Sequence, residues 1–84
     1  MLINFYGKEC PHCERMESVI QKLEMETGVQ VERLEVWHSP ENMKKLEGYD
    51  KGVCGGVPYF YNTDTDTSIC GETEYEKLKA WAGK

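Results

Sequence analysis

An apolar run, Leu2-Ile3-Asn4-Phe5-Tyr6, stops at Gly7 and gives way almost at once to Cys10-Pro11-His12-Cys13, which opens a stretch of helical periodicity. That junction constrains the chain strongly, because a strand covered on both faces must feed a helix through a short turn that carries two thiols at CxxC spacing. Pro11 suits the first helical position, where its missing N–H has no partner to lose. The first turn of a helix leaves backbone N–H groups unpaired and carries the positive end of the macrodipole, so a sulfur at Cys10 is favoured as a thiolate. Cys13 lies one turn further on and can close a short disulfide after Cys10 has attacked. Cys10 is therefore the candidate nucleophile and Cys13 the resolving thiol of a redox pair; a small buried hydrophobe or a zinc ligand is the competing reading of Cys10. His12, between them, can donate an N–H toward the Cys10 sulfur or place positive charge near it.

The rest of the composition limits what such a pair can serve. At 84 residues the chain forms one domain, residues 1–84. Hydrophobic residues at 39% and charged residues at 30% describe a folded globular chain rather than a disordered one. A net charge of −5 with scattered lysines and arginines argues against nucleic-acid or anionic-membrane partners, since nothing would neutralise phosphates. No segment has the apolar length of a membrane span, and Met1 leads straight into the first strand without a basic leader or cleavage site, so the expectation is a cytoplasmic protein. In a reducing compartment the four cysteines are not expected to form two structural disulfides.

Along the chain, Met16, Val19, Ile20 and Leu23 fall at helical spacing and Gly28 supplies a left-handed stop after Thr27. Val29 to Trp37 reads as a strand with imperfect alternation at Glu32-Arg33. Ser39-Pro40 starts a short helix through Met43 and Leu46 that should end at Gly48. A glycine-rich loop runs into Val57-Pro58-Tyr59-Phe60-Tyr61, and Asn62 to Asp66 turns that strand back into Thr67-Ser68-Ile69-Cys70. Thr73 with Glu76 has capping-box spacing ahead of a closing helix with Tyr75, Leu78, Trp81 and Ala82 on one side. The order β-α-β-α-β-β-α predicts a four-stranded mixed sheet flanked by three helices, an α/β architecture, with the first and last helices covering the faces. Trp37 and Trp81 are read as core or hairpin-face residues, His38 as solvated.

CPHC at the end of the first strand, Gly56-Val57-Pro58 at the head of the third, and Cys70-Gly71 before the final helix together resemble the thioredoxin/glutaredoxin family over essentially the whole chain. The likeness is to compact, glutaredoxin-sized thioredoxins. It implies a thioredoxin-like fold, a cis Pro58 facing the CxxC pair, and Val57 backbone groups on which an extended substrate pairs as an added strand. CPHC also occurs in a periplasmic disulfide oxidase, which supports a tuning role for His12; that protein carries an inserted helical domain for which this chain has no room. Departures are equally plain. Lys8-Glu9 stands where thioredoxins place a tryptophan, and Asn4-Phe5-Tyr6 where they bury an aspartate. Lys8 and Gly71 are candidate substrate contacts by analogy with glutaredoxins, although Cys70-Gly71-Glu72-Thr73 matches the glutathione-holding pattern only in part.

The reading that follows is a monomeric thiol–disulfide oxidoreductase reducing protein disulfides, with electrons from a thioredoxin-type reductase or glutathione and no cofactor or metal beyond the dithiol. The alternatives are a glutathione-dependent glutaredoxin and a module holding zinc or an iron–sulfur cluster. Cys54 and Cys70 are read first as two unbonded thiols near the active-site end, with an auxiliary disulfide or a metal site as the sharper alternative.

Overall fold

β1 (Leu2–Tyr6) is the strand best suited to cover on both sides, and in the computed structural model, which describes residues 1–84, it lies inside the sheet. It pairs in parallel with β2 (Val31–Glu35), Leu2 opposite Val31, and antiparallel with β3 (Tyr59–Asn62), Phe5 opposite Tyr59. β4 (Thr67–Cys70) joins β3 at the edge, giving the order β2-β1-β3-β4. A parallel pair needs a crossover, and α1 (Pro11–Thr27) supplies it. With α2 (Pro40–Asp50) and α3 (Tyr75–Trp81) the element order and the mixed sheet are those expected from the sequence.

Alternation along β1 sends its side chains into two cores. Leu2 meets Met16, Ile20 and Leu23 of α1 and Leu78 and Trp81 of α3, whereas Ile3 and Phe5 meet Val36, Leu46 of α2 and Tyr59. Both α1 and α3 therefore lie on one face, and α2 covers the other. This corrects the expectation that the first and last helices divide the faces, and the reason is that Leu46 of α2 is itself a buried core residue.

Helix and strand ends follow local chemistry, with informative exceptions. Gly28 closes α1 at φ 76°, its N–H donating to Glu24 O at 2.9 Å, and Ser39 Oγ caps α2 by accepting from Asn42 N at 3.2 Å. Helix α2 runs past Gly48 to Asp50, because the buried Asp50 carboxylate accepts the N–H groups of Cys54 at 2.7 Å and Gly55 at 2.9 Å and so binds the next loop to the helix end. β2 is shorter than Val29–Trp37: the Glu35 carboxylate takes the backbone N–H groups of Lys8, Trp37 and His38 and curls the chain out of the sheet. β3 starts at Tyr59 rather than Val57, since Pro58 has no N–H to give the ladder. The Thr73–Glu76 capping box does not form; Glu74 is the N-cap of α3 without a side-chain bond, and Thr73 N–H points at Met16 Sδ, 3.5 Å away. Trp37 is not a core residue. It is 48% exposed, and its ring covers Gly7 so closely that a Cβ there would sit 2.3 Å from a ring carbon.

Cys54 and Cys70 are bonded to each other, which corrects their reading as unbonded thiols. Asp50 pins the loop that carries Cys54, β4 carries Cys70, and their Cα atoms lie 5.6 Å apart, within ordinary disulfide reach. Closing that loop should stabilise the fold mainly by restricting the unfolded chain, by about 2–4 kcal/mol. Replacing Cys54 and Cys70 together by serine should accordingly lower the urea unfolding free energy by about that amount under non-reducing conditions. An unchanged midpoint would show that the bond contributes nothing.

Candidate active site at the head of the first helix

The sheet register gathers the site at one end of the strands. Phe5 of β1 lies opposite Tyr59 of β3, which lies opposite Cys70 of β4. The turn after β1 that carries Cys10, the Val57–Pro58 step before β3 and the Gly71-Glu72 segment after β4 thus emerge at the same end. Gly71 N–H donates to Pro58 O at 2.8 Å, and the Val57–Pro58 bond is cis.

Cys10 is the N-cap of α1, in extended backbone, with Pro11 at the first helical position. Its sulfur accepts the Cys13 N–H at 3.2 Å, and its own N–H donates to Gly7 O at 3.0 Å. Both thiols are free and buried, Cys10 at 4% and Cys13 at 7% exposure. Burial, reinforced by the hydrogen bond to Cys10, pushes the Cys13 thiol up to about 12. Cys13 is therefore held as a thiol across the neutral range, while Cys10 has the helix terminus and a backbone N–H aimed at its sulfur.

A cavity of about 200 Å³ reaches this pair and is lined by Asn4, Tyr6, Lys8, Glu14 and Glu17 as well as the two cysteines. Lys8 thus stands beside the dithiol, its backbone N–H held by Glu35 at 2.8 Å. Asn4 is 3% exposed and its Nδ2 has no hydrogen-bond partner, an orphan donor on the wall of the thiol cavity. The only signal for it in the sequence was a single amide in an otherwise apolar strand, at the period that shares a face with Leu2.

The charges around the site are arranged otherwise than the sequence suggested. His12 Nδ1 contacts Glu72 and lies 2.7 Å from Arg15 Nη2, so this nitrogen turns toward Glu72 rather than to the Cys10 sulfur. Glu72 also accepts from Arg15 Nε at 3.0 Å and Nη2 at 2.6 Å. Arg15, then His12, holds the Glu72 carboxyl below its ordinary range. Neither Arg15 nor Glu72 was singled out from the sequence; the spacing of His12 and Arg15 on one helix face was the available hint. His38 is not merely solvated, since its Nε2 lies 2.8 Å from Glu9, whose carboxylate raises the His38 pKa. That pairing offsets the negative charge next to Cys10.

Glu9, Glu35 and His38 are the residues nearest to a metal-ligand arrangement, each bringing a donor atom within 4.8 Å of the others. The Glu35 oxygens are already committed to three backbone N–H groups, so the cluster orders the loop before Cys10. The Cys54–Cys70 disulfide lines a different cavity, with Tyr49, Tyr59 and Tyr61, and takes no part in the dithiol pocket.

The architecture is a thioredoxin-like α/β fold: a four-stranded mixed sheet with three helices. Among solved structures it is similar to the crystal structure of a glutaredoxin from Archaeoglobus fulgidus, with TM-score 0.69 and 23% identity over 99% of this chain and 86% of that one. It is likewise similar to the solution structure of desulfothioredoxin from Desulfovibrio vulgaris Hildenborough in its reduced form, with TM-score 0.70 and 24% identity over 98% and 77% of the two chains. No protein-family model and no curated protein sequence matches the chain. No helix is long and apolar enough to cross a membrane.

The raised Cys13 pKa has a direct readout. In a Cys10→Ser variant, Cys13 should react with iodoacetamide at pH 8 at least about tenfold more slowly than a free thiol, because so little thiolate is present. The rate should still be climbing at pH 10. Alkylation at the free-thiol rate would show that burial does not control this sulfur.

Proposed function

We propose that the chain is a thiol–disulfide oxidoreductase that reduces protein disulfides through Cys10 and Cys13. The observation that carries this reading is the asymmetry of the pair: Cys10 at the helix N-cap with the Cys13 N–H on its sulfur, and Cys13 buried and held as a thiol. The Cys10 thiolate attacks one sulfur of a substrate disulfide. A Cys10–substrate S–S bond forms, the substrate S–S bond breaks, and the departing sulfur takes up a proton. Cys13 then gives up its proton and attacks the Cys10 sulfur, releasing the second substrate thiol and leaving the Cys10–Cys13 disulfide. Two electrons have passed to the substrate, and an external donor returns the pair to the dithiol.

Around this pair the remaining candidates take docking roles. Val57 offers backbone groups to an extended substrate segment, Pro58 keeps a donor N–H away from the sulfurs, and Lys8 and Gly71 border the approach. A thioredoxin-type reductase is favoured over glutathione as the donor, because Cys70 is committed to Cys54, Thr73 N–H to Met16 Sδ, and Glu72 to Arg15 and His12. The protein is read as a cytoplasmic monomer.

Insulin reduction, driven in parallel by a thioredoxin-type reductase and by glutathione, tests both the activity and its donor. Cys10→Ser should bring the rate to background. Cys13→Ser should accumulate a mixed disulfide with substrate, seen by mass spectrometry as a Cys10 adduct. A parent protein inactive with both donors would overturn the reading, and trapping through Cys13 in the Cys10→Ser variant would reverse the two roles.

A further inference from the structure

Three hydrogen-bond contacts converge on a single oxygen of Glu72. Arg15 reaches Oε1 through Nε at 3.0 Å and Nη2 at 2.6 Å, and His12 Nδ1 contacts the same atom. Arg15 Nη2 also lies 2.7 Å from His12 Nδ1. A protonated His12 donates its Nδ1–H to Glu72; a neutral His12 protonated at Nε2 accepts from Arg15 at Nδ1. In either state Nδ1 is committed, and the Cys10 sulfur has as its donor only the Cys13 backbone N–H. Arg15, one turn along α1 from Cys10, has its guanidinium turned to Glu72.

We propose that Glu72 is a positioning residue that keeps His12 and Arg15 as its own partners, withholds both side chains from the Cys10 thiolate, and so biases the dithiol toward donating electrons. The proposal rests on the redox reading above. A cation beside Cys10 stabilises the thiolate, hence the reduced pair, and makes the disulfide a stronger oxidant. Removing that support has the opposite effect. A CxxC pair with two potential cations on the first turns of its own helix is thereby kept reducing by one carboxylate from the β4–α3 segment.

The other ionisable groups facing Cys10 do not substitute for this clamp. Glu9 is paired with His38 and Glu17 with Arg33. Glu14 and Lys8 face the cavity with opposite charges, and Cys13 is held as a thiol there. Only in the Glu72 cluster do an arginine and a histidine beside the CxxC pair share one carboxylate oxygen.

Glu72→Gln tests the idea in the full chain, since it removes the charge that holds Arg15 and His12 while leaving the side chain almost the same size. The pH profile of Cys10 alkylation, with the site assigned by mass spectrometry, should move toward acid, raising the rate at pH 6 by about two- to fivefold. At a fixed ratio of reduced to oxidised glutathione, the fraction of reduced protein should rise. Glu72→Asp, which keeps the charge, should restore most of the parent profile. In a His12→Gln/Arg15→Gln background, Glu72→Gln should leave the profile unmoved. An absent shift in the single variant would overturn the proposal, as would an equal shift in both backgrounds, which would mean that the carboxylate acts on Cys10 directly. Alkylation needs no disulfide substrate, so its outcome is separate from insulin reduction: an inactive protein with the Glu72 shift would refute the redox reading and leave the clamp standing.

Discussion

β1 is gripped from both sides, in parallel by β2 and antiparallel by β3, and the position of the candidate nucleophile depends on that grip. A strand paired on both flanks cannot slide without reversing which side chains enter which core. Leu2 and Phe5 sit in opposite cores, so a shift of one residue would send each into the wrong core and carry the buried Asn4 away from the thiol cavity into the core under α2. With β1 fixed, Gly7 emerges at a set height, the Cys10 N–H closes onto Gly7 O, and α1 starts where the sulfur meets its free N–H groups. The dithiol is thus placed by a strand paired on both flanks, although Cys10 itself lies in the turn that follows.

Electrostatics then refines what the backbone places. Individual exposed ion pairs contribute little to stability, and His12–Glu72 and Glu9–His38 are of that kind. Their significance lies in location. Both flank the first turn of α1, where a small change in field acts directly on a sulfur that must ionise to react. Glu35 belongs to the same local design through its hydrogen bonds, since it ends β2 and ties down the backbone of Lys8 and His38 at once.

Much of this was legible in the sequence because it is encoded locally. Pro11, the helical spacing from Met16 to Leu23 and Gly28 define α1 within one segment, and the turn-forming residues from Asn62 to Asp66 define the hairpin. What remained hidden depends on groups that meet only after folding. The side of the sheet each helix covers is decided by competition among faces, Glu35 shortens β2 by reaching across to Lys8, and Glu72 finds Arg15 from the opposite end of the chain. Cys54 and Cys70 show a further limit. Compartment reasoning favoured unbonded thiols, whereas a buried Asp50 that gathers the loop amides brought the two sulfurs into bonding position.

The disulfide also bears on the outer margin of the sheet. β4 is a four-residue edge strand whose Thr67, Ser68 and Cys70 are exposed, the kind of unpaired backbone on which another chain can template. Its last residue is covalently anchored to a glycine-rich loop, and its first follows a turn in which Asp66 adopts φ 55°. Both ends of the free edge are therefore terminated, leaving too short a row of donors and acceptors for a foreign strand to extend. The bond that closes a loop therefore also guards the sheet margin against pairing with another chain.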